Sequence, residues 1–121
     1  MSGMQTVLIV DDDPQILRLV ERMLGARKVT VLVAPRPSEA LEICQRQTVD
    51  LLISDIAMPE MDGVRLSERV LKLHPNAQVL LISGTAREAP ALADSRRVHF
   101  LRKPFFPAQL IERLHELLPT A

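Results

Sequence analysis

The chain has 121 residues, 47% hydrophobic and 25% charged, with fifteen basic side chains balanced by fifteen acidic ones. A neutral chain has no global field to draw it to nucleic acid or to an anionic membrane, so neither is an expected partner, and any electrostatic function must come from local clustering. The one cysteine excludes an internal disulfide and a multi-cysteine metal site and points to a reducing, cytoplasmic setting; no apolar run approaches the roughly 18 residues of a membrane span, and no secretory signal is evident.

Short apolar runs alternate with amphipathic stretches along the chain. The first run, residues 7–10, leads straight into Asp11, Asp12, Asp13 and Pro14. Ile16, Leu17, Val20, Met23 and Leu24 then recur at helical spacing as one apolar stripe, and Gly25 reads as the helix stop. A second run covers 29–34. It is followed by a predicted helix over 38–47, in which Cys44, near Ala40, Leu41 and Ile43, reads as a core residue. The third run, 51–54, ends at Asp55, and the spacing beyond it predicts a helix over 63–74 that stops at Pro75 and Asn76. The fourth run, 79–83, ends in Ser83. Residues 86–97 are alanine-rich with Pro90 in their middle. Proline costs about 3 kcal/mol inside a helix, so a fourth helix here is expected to be short or irregular. The fifth run, 98–101, is interrupted by His99 and reads as an edge strand, with Lys103 just beyond it. The last helix starts with Pro107 at its first position and carries Leu110, Ile111, Leu114, Leu117 and Leu118 on one stripe.

Nearly continuous apolar strands are those of a parallel sheet covered on both faces. Their regular alternation with helices implies right-handed crossovers and an α/β fold. Residues 1–121 are expected to form a single domain, with residues 1–4 outside its ordered part. In open α/β sheets ligands bind beyond the carboxyl ends of the strands. Asp11, Asp12, Asp55, Ser83 and Lys103 all fall there. Three carboxylates meeting in space raise one another's pKa unless a cation neutralises them, and oxygen donors with open positions suit magnesium. Lys103 adds a second positive charge and Ser83 a hydroxyl donor, a set able to surround a phosphoryl group. A carboxylate can itself be the nucleophile that accepts that group.

The stretches LIVDDDP, LLISDIAMPEMDG, LLISGTA and FLRKPF resemble, in order and across essentially the whole chain, the motifs of the response-regulator receiver domain of two-component signalling. The resemblance implies a flavodoxin-like (βα)5 fold with five parallel strands in order 2-1-3-4-5 and helices on both faces. It implies that Asp55 is the phosphoacceptor. It also implies that Asp11, Asp12, Asp55 and the backbone carbonyl of Ala57 hold Mg2+ (Mn2+ being a substitute), with Asp12 the more direct ligand and Asp11 acting largely through water. Ser83 then matches the switch hydroxyl and Phe100 the aromatic rotamer switch. Lys103 matches the lysine that binds a phosphate oxygen, and its bond to Pro104 is expected to be cis. The donor would be a phosphohistidine on a histidine kinase or histidine phosphotransfer protein. Phosphorylation would switch the surface around residues 86–107, which controls a downstream protein or a fused effector. A phosphorylation-dependent dimer is left open. After Leu118 only Pro-Thr-Ala remains, so no output domain is expected. Ala57 and Thr85 supply no acid or amide to position an attacking water, which predicts an acyl phosphate lasting minutes or longer.

Other features have plainer readings. Asp13, just before Pro14, is the expected N-cap of the first helix. Met58 and Met61 read as packing residues, and none of His74, His99 and His115 reads as a ligand. Phe105 is placed to pack on Leu110, whereas Phe106 stands where a capping side chain would be and is expected to be exposed for a partner. Two rivals differ in class. A magnesium-dependent phosphatase would carry a general acid two residues after the nucleophile, where Ala57 stands. A silent pseudo-receiver would not need the full set of charged residues.

Overall fold

In the computed structural model the protein is described over residues 4–84 and 96–119. Each apolar run becomes a strand: β1 (Gln5–Val10), β2 (Val29–Ala34), β3 (Leu51–Asp55), β4 (Gln78–Ser83) and β5 (Val98–Arg102). They form one sheet in the order β2-β1-β3-β4-β5, all neighbours parallel. Four helices are present among the described residues: α1 (Pro14–Gly25), α2 (Pro37–Arg46), α3 (Gly63–Leu73) and α4 (Pro107–Leu117). This is the expected flavodoxin-like arrangement, with the His99 strand at an edge. The stretch expected as a short or irregular fourth helix falls almost wholly on residues 85–95, which lie outside the described ones.

Side chains alternate across a strand, so each apolar run feeds two cores. On one face Val7, Ile9, Ile53, Leu80 and Ile82 meet the stripes of α1 and α4 through Val20, Leu24, Leu110 and Leu114. On the other, Leu8, Val10, Leu52, Val79 and Leu81 meet Ala40 and Cys44 of α2 and Leu66 and Val70 of α3. Complete burial of one such leucine is worth about 2 kcal/mol. Cys44 is 2% exposed. Burial pushes its thiol up to about 11, which leaves it a packing residue.

Small departures from the sequence reading have local causes. β1 starts at Gln5, two residues early, because the Thr6 N–H donates to the Asp50 carboxylate (2.7 Å) and the Asp50 N–H donates back to the Thr6 carbonyl (2.9 Å). Asp55 is the last residue of β3, not the first residue beyond it, while Ser83 ends β4 as it ends its apolar run. Gly25 closes α1 without a left-handed turn; the cap is Ala26, in a right-handed conformation. Among the described residues no helix is long and apolar enough to cross a membrane.

Candidate functional site

The sheet brings the predicted residues to one edge. Asp11 follows β1, Asp55 ends β3, Ser83 ends β4 and Lys103 follows β5. Carboxylate oxygens of Asp11, Asp12 and Asp55 lie within 4.8 Å of one another. The Lys103 ammonium is 3.3 Å from Asp55 Oδ2. The Lys103 N–H donates to the Ser83 carbonyl at 2.7 Å, which fixes the exit of β5 against β4, and the Lys103–Pro104 peptide is cis as expected.

The three consecutive aspartates have separate environments. Asp11 is 2% exposed. Its Oδ1 accepts the Asp13 N–H at 2.9 Å, while its Oδ2 is buried with no donor. Its carboxyl is pushed up to about 6, first by burial and then by the charges of Asp55 and Asp12, against the Asp13 hydrogen bond and Lys103. Mutual repulsion was the expected cause; burial is the larger one. Asp12 is exposed. Asp13 caps α1 by accepting the Gln15 N–H at 2.9 Å, as its place before Pro14 predicts.

This donor set fits a small, hard divalent cation. All of its atoms are oxygens, their charge exceeds what Lys103 balances, and the donorless Asp11 Oδ2 is a buried acceptor of the kind a cation satisfies. Asp11, Asp12 and Asp55 are the side chains placed to hold it. Ala57, whose carbonyl is the fourth expected donor, is exposed two residues past Asp55.

Gly63 ends the stretch LLISDIAMPEMDG, and its role emerges only from what packs against it. A Cβ there would collide with the Asp55 carbonyl oxygen and press on the Ile56 Cα at 3.0 Å. The Gly63 N–H donates to the Ile56 carbonyl (2.8 Å), and Asp62 caps α3 through the Arg65 N–H (2.8 Å). Ser54 Oγ also donates to the Asp55 carbonyl at 2.9 Å. α3 thus begins directly against the backbone of Asp55, which only a residue without a side chain permits.

The remaining predicted residues lie around this centre. Phe100 is half-buried on β5 against the α2 and α3 core, and its carbonyl accepts from Arg113 at 2.9 Å. Phe105 packs in the same core as Leu110. Phe106 is 76% exposed. Its backbone nevertheless has a duty that the sequence reading missed: its N–H donates to Gln109 Oε1 (2.6 Å), while the Gln109 N–H donates to its carbonyl (2.9 Å). Gln109 starts α4 by reaching back, the half of a capping box that a phenylalanine N-cap leaves available. An apolar groove of about 460 Å³, lined by Ile16, Leu19, Gly84, Lys103, Pro104 and Phe105, opens beside the lysine. Thr85 lies outside the described residues.

Residues 7–115 match the response regulator receiver domain. The chain belongs to that family. It is 38% identical to the sensor kinase CckA of Brucella abortus over 98% of this chain and 13% of that protein. It is 30% identical to the response regulator receiver protein CpdR of the same organism, over 98% of this chain and 100% of that one. Among solved structures it resembles a CheY-like receiver domain protein of Methanospirillum hungatei, with a TM-score of 0.84 and 28% identity over 97% of this chain and 95% of the other. Receiver domains are switches of two-component systems; the match spans 13% of the length of the sensor kinase and the whole of the receiver protein.

Proposed function

We propose that this receiver domain accepts a phosphoryl group onto Asp55 in a Mg2+-dependent reaction. The observation that carries the reading is the juxtaposition at Asp55: a lysine ammonium at 3.3 Å on one side and, on the other, a carboxylate pair with a donorless buried oxygen. An Asp55 carboxylate oxygen attacks the phosphorus of a phosphohistidine. The new O–P bond forms as the N–P bond breaks, and the imidazole leaves with the electron pair and takes up a proton. Lys103 faces the oxygens that gather negative charge, and Ser83, at the end of the neighbouring strand, offers its hydroxyl to the same group. A bound magnesium ion supplies Lewis-acid neutralisation of those oxygens. A histidine kinase or histidine phosphotransfer protein is the partner this chemistry needs, and the apolar groove beside Lys103 gives it a place to dock. Ser83 and Phe100 then couple the site to the surface around residues 86–107, with Phe106 exposed to meet a partner, by shifting a two-state equilibrium.

The test is incubation with acetyl phosphate and Mg2+ followed by intact mass. The expected result is one added phosphate on the wild type, none on Asp55→Asn and none with EDTA. An unmodified wild type would make the domain a silent receiver, and multiple turnover of a small phosphoester would make it a phosphatase.

A further inference from the structure

The segment leaving the phosphoacceptor strand is held at both ends. The Ile56 N–H donates to the Ile82 carbonyl (3.1 Å), the Ile56 carbonyl accepts from Gly63 (2.8 Å), and Asp62 caps α3. Between these anchors, residues 57–61 have a single hydrogen bond among the described residues: Glu60 Oε1 accepts the Ser38 N–H at 3.2 Å. Met58 and Met61 are half-buried against the α2 and α3 core. Flexible thioethers give the segment contact but little direction. The Glu60 bond, exposed to solvent, is the one directional contact among them.

Ser38 is the second residue of α2, whose N-cap Arg36 makes no side-chain capping bond. The first N–H groups of a helix have no intrahelical partner, and the positive end of the helix dipole favours a carboxylate. Glu60 therefore does for α2, from 22 residues away, what Asp13 and Asp62 do for the helices they precede. The same contact is felt at its other end, because the segment it holds contains Ala57, three residues before Glu60.

We infer that Glu60 is a positioning residue for the phosphoacceptor site: by binding the N-terminus of α2 it sets the course of residues 57–59, and with it the Ala57 carbonyl proposed as a metal donor. This rests on the reading of Asp55 above. Occupancy of the site is transmitted along the same bond to the Ser38 amide.

The test compares wild type, Glu60→Ala, Glu60→Gln and the double variant Glu60→Ala with Arg36→Ser. Calorimetric titration gives the Mg2+ affinity, acetyl phosphate the rate of phosphorylation, and NMR the Ser38 amide resonance. Glu60→Ala is expected to weaken Mg2+ binding about 2- to 10-fold, the range of one modest hydrogen bond, and to slow phosphorylation at subsaturating Mg2+. Glu60→Gln keeps an acceptor and should stay within about 2-fold of wild type. In the double variant a new hydroxyl at position 36 caps α2, so thermal stability returns while Mg2+ affinity stays low. The Ser38 resonance should move on addition of Mg2+ in the wild type and not in Glu60→Ala. Wild-type affinity in Glu60→Ala overturns the inference. So do equal losses in the alanine and glutamine variants, which would make the effect one of charge. Affinity restored by Arg36→Ser also overturns it, since Glu60 would then be no more than a helix cap. If the wild type takes no phosphate but Glu60→Ala still loses Mg2+ affinity, the positioning role stands and the phosphoacceptor reading falls.

Discussion

Asp50 and Asp11 sit at opposite ends of the same sheet and show what one side chain does in two environments. At the amino end Asp50 is half-buried and has its N–H, its carbonyl and one carboxylate oxygen hydrogen-bonded. Its carboxylate accepts the Thr6 N–H (2.7 Å), its own N–H donates to Thr6 and its carbonyl accepts from Gln78, both at 2.9 Å. It thereby joins β1, β3 and β4 at the point where they start. At the carboxyl end Asp11 has one oxygen bonded to the Asp13 N–H and the other buried without a donor, beside two more carboxylates. The first aspartate stabilises the fold. The second costs it free energy, because a buried acceptor has lost water without gaining a donor. The carboxyl end of the sheet is thus marked by imperfect satisfaction, of the kind a cation would complete.

The largest effect is expected from Gly63→Ala, which drives a methyl into the Asp55 carbonyl at the carboxyl end and leaves Asp50 untouched. Urea unfolding followed by circular dichroism should show a loss of about 3 kcal/mol, and acetyl phosphate labelling of Asp55 should fall with it. Next is Asp50→Ala, which strips the Thr6 N–H of its acceptor and should cost about 2 kcal/mol by the same measurement, with Mg2+ affinity unchanged. Equal effects of Asp50→Ala on stability and on Mg2+ binding would erase the distinction between the two ends.

Asp11→Asn should act with the opposite sign. The folded-state pKa of about 6 lies above the ordinary 3.8, so the folded chain holds this proton more tightly than the unfolded one. The associated stability is fully present below pH 3.8 and is lost as the pH rises through about 6. The neutral amide escapes that loss. Without metal at pH 7.5 the variant should therefore be more stable than wild type, by about 1–2 kcal/mol. The gap should close as the pH is lowered from 7 towards 4, as read from paired thermal melts. Adding Mg2+ should raise the melting temperature of the wild type and do little for the variant. The smallest effect is expected for Asp13→Ala: about 1 kcal/mol of stability from the lost cap of α1, with Mg2+ affinity largely intact in a calorimetric titration.

Asp13 and Gln109 show how far local reading reaches. Asp13 was legible as a cap because the proline that follows it, the helix it starts and the N–H it accepts from are within two residues. Gln109 is only three residues from Phe106, yet its role is hidden in the sequence, because the capping side chain stands inside the helix and reaches back to a phenylalanine. Glu60 lies beyond such reading altogether: its partner is 22 residues away, on α2, and no periodicity connects them. The role of Gly63 was likewise invisible, because the backbone it must clear belongs to the end of β3.

Continuous apolar runs and helical stripes are local patterns that can be buried in few ways, so the strands, the helices and their alternation are legible in the sequence, whereas the strand order 2-1-3-4-5 is legible only through the family resemblance. The sequence by itself also determined which side chains stand at the carboxyl edge, because each follows or ends a run. What only the tertiary structure decided is how each of them is held. Asp11 is buried and Asp12 exposed although they are neighbours. Asp55 is hemmed in by the backbone of Gly63, and the segment after it is tied to α2 by Glu60. Burial, desolvation and long-range hydrogen bonds depend on what packs from elsewhere in the chain, and these set the charge state and the orientation on which the chemistry of this site depends.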